Sequence, residues 1–351
     1  MGKRYFSDKL VKWYLDNKRS LPWRDTNDPY KIWLSEVILQ QTRVIQGLPY
    51  YQQFVETYPS VKDLAAAPEQ EVLRLWQGLG YYTRARNLHK CAKVLATQYE
   101  CAFPKTYEAL QKLPGIGQYT AAAIASFAFN QAVAVVDGNV FRVLSRLFGI
   151  DSAINSPEGK YQFTELANHL LSKKDPALHN QAVMEFGALC CTPSNPKCSE
   201  CPFNRSCLAY NNDLTSLLPV KVKSKAARKR YFFYLVIEKD QALLMKRRDA
   251  KDIWQGLFDF VLIEKDKPLR AEDLMSDRTY RRWFQQNEGV AVSRDYKHAL
   301  THQTIHCRFI QLRTKSMAMV EEGLSFYTRA EIDKLPKPAL ISRFLEERNP
   351  D

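Results

Sequence analysis

The sequence predicts a multidomain protein, with an all-α domain over residues 1–217 and an α+β domain over residues 231–351. The length of 351 residues suits two domains. Apolar residues recur at helical spacing as far as residue 210, whereas β-branched and aromatic runs begin only after residue 230. With 45% hydrophobic and 25% charged residues, the composition is that of a globular protein and excludes a largely disordered chain.

The all-α region begins with an amphipathic pattern over residues 6–14, which predicts a helix with one buried face. Asp28 and Pro29 combine an N-cap with a proline at the first helical position, so we expect a second helix from there to about Gln46. Further helical patterns cover residues 68–77, 84–98, 106–112, 118–129, 139–147, 158–172 and 177–189.

A basic segment separates the two domains. Residues 218–230 hold six lysines and arginines and no acidic residue, so we expect a linker that either lies along an anion or is a solvated connector. Beyond it, strands are predicted at residues 231–238, 242–246, 258–264, 307–313 and 324–328, with helices at residues 271–287 and 329–346.

The charge balance suggests a polyanionic partner. The chain has 51 basic and 38 acidic residues and a net charge of +13, which favours nucleic acid over a membrane surface. No apolar run approaches the roughly 20 residues of a membrane-spanning helix. Charged residues also occupy the N-terminal stretch where a signal peptide needs an apolar core. We therefore expect a cytoplasmic protein.

The strongest local motif is the string Leu-Pro-Gly-Ile-Gly-Gln-Tyr-Thr-Ala at residues 113–121. Gly115 and Gly117 leave backbone N–H groups uncovered at the start of a helix, where the helix dipole favours a phosphate. The string resembles the helix-hairpin-helix hairpin of DNA-binding proteins. The alternative is an ordinary connection between two helices that uses glycine only for its geometry.

Five of the eight cysteines lie between residues 190 and 207. Four of them have the spacing Cys-x6-Cys-x2-Cys-x5-Cys, and four thiolates can hold one tetrahedral ion or one cubane cluster. Zinc and iron–sulfur satisfy this count equally well, whereas structural disulfides are a poor alternative in a reducing compartment. The four residues are Cys191, Cys198, Cys201 and Cys207, and we expect the adjacent Cys190 to pack in the core.

Two carboxylates have unusual sequence contexts. Asp137 follows the apolar run 132–136 and precedes Gly138, so it is a helix N-cap, a catalytic group, or both. Glu36 lies among large apolar residues of a predicted helix, where burial would raise its pKa and favour the protonated acid that proton donation requires. The alternative for Glu36 is an exposed or paired position on the polar face of that helix.

In this order, the four motifs resemble the MutY-type adenine DNA glycosylases of the endonuclease III superfamily. The resemblance also includes residues 21–24, 35–43, 76–82 and 84–87. It implies an all-α helix-hairpin-helix glycosylase domain whose loop 191–207 binds a [4Fe-4S] cluster. Bifunctional lyases of the superfamily carry a lysine directly before the Thr-Ala pair, where this chain has Tyr119, so the resemblance implies base excision without strand cleavage.

The resemblance assigns roles to individual residues. It implies that Glu36 protonates adenine and that Asp137 stabilises the cationic sugar, with Tyr119 and Asn139 beside it. It places the adenine pocket at Arg19, Leu21, Trp23, Arg24 and Gln181. It places contacts with DNA or with the lesion at Gln41, Thr42, Leu79, Tyr81, Gly115, Gly117, Thr301 and His302.

The C-terminal domain resembles a Nudix fold over residues 252–260, but the Glu-rich metal motif of Nudix hydrolases does not follow. In the family this domain reads 8-oxoguanine opposite adenine, through a loop that usually carries Phe-Ser-His. Here the loop reads Leu300-Thr301-His302, and threonine retains the hydroxyl. The expected partner is double-stranded DNA with adenine opposite 8-oxoguanine or guanine. We also expect a monomer that is associated with the bacterial nucleoid and binds no membrane.

Three other interpretations remain at this point. The first is a bifunctional glycosylase and lyase of the endonuclease III kind, acting on oxidised pyrimidines, which Tyr119 and the extra C-terminal domain disfavour. The second is a non-catalytic DNA-binding or redox-sensing iron–sulfur protein. The third is a Nudix-type enzyme that hydrolyses damaged nucleotides, which the missing metal motif disfavours.

Overall fold

The computed structural model describes residues 2–222, 227–249, 252–278, 280–285, 288–315 and 323–348. Contacts divide the chain into two compact units. The first contains residues 1–66 and 87–223, and the second contains residues 67–86 and 224–351. The sequence placed residues 67–86 in the all-α domain, whereas their contacts group them with the C-terminal sheet. The predicted domain boundaries at residues 217 and 231 stay a prediction.

Helices make up the regular structure of the described residues before residue 212. They are α1 (Lys3–Asn17), α2 (Pro29–Leu39), α3 (Val44–Thr57), α4 (Val61–Ala66), α5 (Glu69–Leu75), α6 (Tyr82–Gln98), α7 (Tyr107–Leu110), α8 (Gln118–Phe129), α9 (Gly138–Phe148), α10 (Pro157–Leu170), α11 (Pro176–Leu189) and α12 (Leu208–Asn211). In the first unit, α1, α9, α10 and α11 enclose one hydrophobic core, to which α1 contributes its buried Phe6, Leu10 and Tyr14. The all-α prediction and the amphipathic pattern of α1 are confirmed.

The predicted helix from Pro29 to about Gln46 is only partly correct. Asp28 caps it as expected, because its side chain accepts a hydrogen bond of 2.9 Å from the Tyr30 N–H. The helix ends at Leu39, however, because Gln41 adopts a left-handed backbone conformation with φ of 58° that no helix can continue. Helices α3 and α4 follow, and neither was predicted as a separate element.

The second unit contains a mixed sheet. Its described strands are β1 (Arg228–Lys239), β2 (Ala242–Arg247), β3 (Phe258–Asp259), β4 (Val261–Lys265), β5 (Glu288–Val292), β6 (Tyr296–Ala299), β7 (Gln303–Arg313) and β8 (Leu324–Tyr327). The main order is β3-β2-β1-β7-β5, while β4 pairs with β1, β6 with β7 and β8 with β2. Only the β1–β7 pair is parallel among the described strands, which confirms an α+β domain.

Several predicted elements of this unit need correction. The helix expected at residues 329–346 is broken into α15 (Arg329–Lys334) and α16 (Ala339–Arg348), because Pro336 and Pro338 cannot continue a helix. The helix expected at residues 271–287 is α13 (Ala271–Ser276) and α14 (Arg281–Gln285), and its last two residues lie outside the described residues. The strand expected at 258–264 is divided between β3 and β4. Strands β5 and β6 were missed.

The basic linker is shorter than expected. Residues 228–230 already belong to β1, and residues 223–226 lie outside the described part of the chain. Before this gap, Asn155 holds the segment through two hydrogen bonds of 2.9 Å to the backbone of Val222. Among the described residues, the helices lack the length and apolar character needed to cross a membrane.

Candidate active site

One cavity of about 500 Å³ in the first unit brings together residues from five helices (α2, α3, α8, α9 and α11) and from the loops between them. Its walls contain ten of the residues that the sequence singled out: Arg19, Leu21, Trp23, Arg24, Glu36, Thr42, Tyr119, Asp137, Asn139 and Gln181. The predicted catalytic residues and the predicted adenine-pocket residues therefore share one space. A cavity of this volume lies in the range of small-molecule sites.

Glu36 lies on α2 and is 7% exposed. Its Oε2 accepts a hydrogen bond of 2.5 Å from the Tyr119 hydroxyl. Burial raises the pKa of Glu36 to about 7, with help from the charge of Asp137, while Tyr119 and Arg24 oppose this shift. The carboxyl can therefore hold its proton close to neutral pH, as a general acid should.

Asp137 lies at the N-terminus of α9, which its side chain caps. Its Oδ1 accepts hydrogen bonds from the N–H groups of Asn139 (2.9 Å) and Val140 (2.8 Å), and its Oδ2 accepts one of 2.7 Å from the Asn139 amide. Burial raises the pKa of Asp137, while these three hydrogen bonds and Arg142 oppose the rise. Because it accepts three hydrogen bonds and Glu36 only one, Asp137 is the better site for a negative charge. Asp137 can therefore be both a helix N-cap and a catalytic carboxylate, as the sequence allowed.

The side of the cavity formed by α11 is organised by Glu185, which the sequence analysis missed. Arg19 and Arg24 both contact its carboxylate at 2.6 Å, and its side chain is fully buried. These hydrogen bonds outweigh the effect of burial and lower the pKa of Glu185 to about 2. The available signal was its position one helical turn after Gln181, which places both residues on one face of α11.

The hairpin at residues 113–121 has the geometry that its glycines predict. Gly115 has φ of 74°, and a side chain there would approach the Asn87 Cβ to 2.6 Å. Gly117 caps α8, and its Cβ position has no heavy atom within 4 Å. An open backbone at the start of a helix is suited to a phosphate oxygen.

The residues predicted to contact DNA or the lesion differ in their surroundings. Gln41 in the first unit and Tyr81 in the second both adopt positive φ angles, of 58° and 51°, which are strained for these residue types. Within the second unit, the Tyr81 hydroxyl lies 2.6 Å from the Thr301 hydroxyl, so two predicted lesion contacts are paired with each other. His302 is exposed, whereas the Leu79 side chain is buried, which disfavours direct contact with DNA.

The four cysteines of the predicted cluster line one small cavity, and Cys190 packs in the hydrophobic core beside them. None of the eight cysteines forms a disulfide, and all of them lie among the described residues. Arg146 donates a hydrogen bond of 3.5 Å to the Cys191 sulfur, and the Phe203 N–H donates one of 3.4 Å to the Cys201 sulfur. Donors directed at sulfur suit the anionic thiolates of an iron–sulfur cluster.

A zinc ion and an iron–sulfur cluster differ in how far apart they hold their four thiolate ligands. Across the described residues, no three His, Cys, Asp or Glu side chains are arranged to hold a single metal ion. A structural zinc would need its sulfur ligands about 2.3 Å from one ion. Four irons and their sulfides form a larger body, so the four cysteines around it can stand farther apart.

Comparison with known proteins agrees with this geometry. Residues 34–169 match the HhH-GPD superfamily of base excision DNA repair proteins, and residues 191–207 match the iron-sulfur binding domain of endonuclease III. The adenine DNA glycosylase of Buchnera aphidicola subsp. Baizongia pistaciae (strain Bp) is 36% identical over 311 residues, which cover 86% of this chain and 84% of that protein. The chain belongs to the adenine DNA glycosylase family. Its cofactor is accordingly a [4Fe-4S] cluster.

Other adenine DNA glycosylases and solved structures match a smaller part of the chain. The Homo sapiens adenine DNA glycosylase is 45% identical over 213 residues, which cover 58% of this chain and 39% of that protein. A thermostable thymine-DNA glycosylase is 31% identical with a TM-score of 0.56, covering 60% of this chain and 97% of that one. A trapped endonuclease III–DNA intermediate is 24% identical with a TM-score of 0.53, covering 61% and 99%, and shares the fold.

The second unit matches a NUDIX domain over residues 232–347. Arginines bind the three carboxylates between residues 252 and 264. Arg230 pairs with Asp252 at 2.6 Å and with Glu264 at 2.7 Å, and Arg248 pairs with Asp259 at 2.7 Å. Arginine therefore already balances the charge of these carboxylates, and the Glu-rich metal motif of Nudix hydrolases is missing from the sequence of this domain.

Proposed function

We propose that this protein is a monofunctional DNA glycosylase that removes adenine paired with 8-oxoguanine or guanine in duplex DNA, and so initiates base excision repair. The observation that carries the proposal is the pairing of Glu36 with Asp137 in one cavity. One of these carboxyls has a pKa near neutrality and the other is held by three hydrogen bonds. Two carboxyls in unequal environments are suited to acid and charge-stabilising roles.

The reaction requires the adenine to leave the base stack and enter the cavity, because its glycosidic bond is inaccessible inside the duplex. Protonated Glu36 donates its proton to N7 of the base, so that adenine leaves as a neutral molecule. The bond from the base to C1′ then breaks toward an oxocarbenium-like sugar, which the Asp137 carboxylate stabilises, and water completes the abasic product. Tyr119 orients Glu36 through its hydrogen bond, and Asn139 orients Asp137.

The absence of strand cleavage follows from Tyr119. A lyase needs an amine that forms a Schiff base with the sugar, and a phenol cannot form one. Burial and the neighbouring Glu36 carboxyl raise the pKa of Tyr119 well above its usual value, so its hydroxyl stays protonated at neutral pH. It therefore does not act as a nucleophile, and the abasic strand remains intact.

The cluster has a structural role in this proposal. Cys191, Cys198, Cys201 and Cys207 would hold it, and its iron–sulfur bonds would cross-link and order the loop at residues 191–207. Arg142 connects this loop to the catalytic residues, since it donates hydrogen bonds to the Cys191 carbonyl (2.7 Å) and to the Asn139 side-chain oxygen (2.8 Å).

Recognition of the mispair is assigned to both units. Gln41 and Tyr81, which are both exposed, would enter the duplex, and Thr301 and His302 would contact the base opposite adenine. Gly115, Gly117, Thr42 and Leu79 complete the proposed contacts, with Leu79 acting through packing rather than direct contact. We propose that the protein acts as a monomer, in the bacterial cytoplasm at the nucleoid.

A single-turnover assay on three otherwise identical duplexes tests this function. Adenine is placed opposite 8-oxoguanine, guanine or thymine, and products are analysed with and without hot alkali. We expect adenine loss opposite 8-oxoguanine and guanine but not thymine, with strand breaks only after alkali. Cleavage at oxidised pyrimidines without adenine loss would instead indicate a bifunctional enzyme of the endonuclease III kind.

A further inference from the structure

The carboxylate of Glu185 is held in place by an unusually dense set of hydrogen bonds. Its two oxygens accept five hydrogen bonds, and every donor belongs to the adjacent loop at residues 19–24. Arg19 supplies its backbone N–H (3.0 Å), Nε (2.8 Å) and one terminal nitrogen (2.6 Å). Arg24 supplies both terminal nitrogens, at 2.9 and 2.6 Å. The carboxylate therefore fixes two arginines that line the cavity.

This arrangement also controls the charge around Glu36. With Glu185 ionised, the three side chains carry one net positive charge rather than two. A second positive charge would favour the ionised form of Glu36, and it would oppose the formation of a cationic sugar in the same cavity. The negative charge of Glu185 therefore favours both the protonated form of Glu36 and the cationic sugar.

We propose that Glu185 is a positioning residue for adenine excision, which clamps Arg19 and Arg24 and offsets their charge so that Glu36 stays protonated. The inference rests on the proposed function, and it adds a residue that acts through the arginines rather than on the base. Arg24 is among the groups that oppose the raised pKa of Glu36, so its neutralisation supports that pKa.

Glu36 faces titratable and charged groups from each surrounding element of the cavity. They are Arg19 and Arg24 in the loop before α2, Arg43 before α3, Tyr119 on α8, Asp137 and Arg142 at the start of α9, and Glu185 on α11. Of these, Glu185 differs from Asp137 in that every hydrogen bond to its carboxylate comes from an arginine. Its replacement therefore changes the charge without removing the group that faces the sugar.

The test is the pH dependence of single-turnover adenine excision by Glu185→Gln. Activity requires protonated Glu36, so the rate falls as pH rises through the pKa of that group. We expect this falling limb to move toward acid by about one pH unit, which is roughly a tenfold lower rate at pH 8. The exposed Glu165→Gln is the matched control, and its limb should coincide with that of the wild type. A limb that stays in place in Glu185→Gln contradicts the inference.

Two further variants keep the test decisive if Glu185→Gln fails to fold. Arg24→Met removes a positive charge and should move the limb toward alkali, whereas Arg24→Met with Glu185→Gln restores the charge balance and should return it toward the wild type. If the falling limb of the pH profile does not shift with the net charge in these two variants, the inference is refuted. A purely structural role for Glu185 would lower the rate of its variants at every pH without moving the limb.

A titration of the free protein separates this inference from the proposed function. Carbon-13 NMR of labelled glutamate, with Glu36→Gln used for assignment, reports the pKa of Glu36 without any DNA. A lower pKa in Glu185→Gln supports the inference even if the wild type removes no adenine. An unchanged pKa counts against it even if the wild type is active.

Discussion

The two units treat their carboxylates differently. In the C-terminal unit, Asp252, Asp259 and Glu264 are each held by an arginine at 2.7 Å or less. In the first unit, no salt bridge from a described side chain reaches Glu36 or Asp137, and both have raised pKa values because burial dominates. Glu185, the paired carboxylate of that cavity, has a pKa lowered to about 2.

The difference separates a candidate reactive site from a domain whose carboxylates are held by ion pairs. An unpaired buried carboxyl is unfavourable for stability, but it holds a proton near neutral pH. Pairing with arginine favours the ionised form of a carboxylate, although burial still raises the pKa of Asp259, and removing the arginine leaves the carboxylate without its partner. The first unit thus keeps two carboxyls available for chemistry, whereas the second uses its carboxylates to hold strands and loops together.

The largest expected effect is on the first unit. Glu36→Gln keeps the size and the hydrogen bond from Tyr119 but removes the proton donor, so we expect adenine excision to fall by at least two orders of magnitude. Binding of the mispaired duplex should remain. Single-turnover kinetics and a binding titration measure both, with Glu165→Gln as the exposed control. Wild-type turnover in Glu36→Gln would refute the assignment of the acid.

The same substitution should stabilise the fold at alkaline pH. Glu36 has a folded pKa of about 7, above its usual 4.5, so the folded state loses stability as pH rises between these values. Glu36→Gln removes this loss, and we expect it to be more stable than the wild type by about 3 kcal/mol at pH 8 and equally stable below pH 4.5. Urea unfolding at both pH values measures the difference, and a wild type that is more stable at pH 8 would contradict it.

In the second unit, loss of an arginine should reduce stability. Arg230→Met leaves Asp252 and Glu264 without their main partner, and because both are partly exposed we expect a loss of about 2 kcal/mol. Hydrogen exchange should show weaker protection in β1 and β4 and unchanged protection in α9. The adjacent, exposed Lys229→Met serves as the control. Equal protection in the two variants would show that the ion pairs contribute little.

The smallest effect concerns discrimination between mispairs. Thr301→Ala removes the hydroxyl that pairs with Tyr81, and one neutral hydrogen bond contributes about 0.5–1.5 kcal/mol. We expect the preference for 8-oxoguanine over guanine to fall by up to about tenfold, with the rate on the guanine duplex little changed. Thr301→Ser should restore the preference. A preference that survives in Thr301→Ala would remove this loop from lesion recognition.

The sequence predicted local features well and long-range pairings poorly. The caps at Asp28 and Asp137 and the turn at Gly115 depend on neighbouring residues, so they were readable. Glu185 was missed because its partner Arg24 lies 161 residues away in the chain. The end of α2 was missed because glutamine favours helices, so the sequence gives no sign that Gln41 adopts a positive φ. The cavity residues were found by resemblance, since their proximity depends on the tertiary fold.

The most direct test of the account is the pH dependence of single-turnover adenine excision by the wild type, with enzyme saturating a duplex that carries adenine opposite 8-oxoguanine. If Glu36 donates the proton from a pKa of about 7, the rate should fall about tenfold for each pH unit above that value. A rate that stays constant or rises between pH 7 and 9 would contradict the assignment of Glu36 as the general acid.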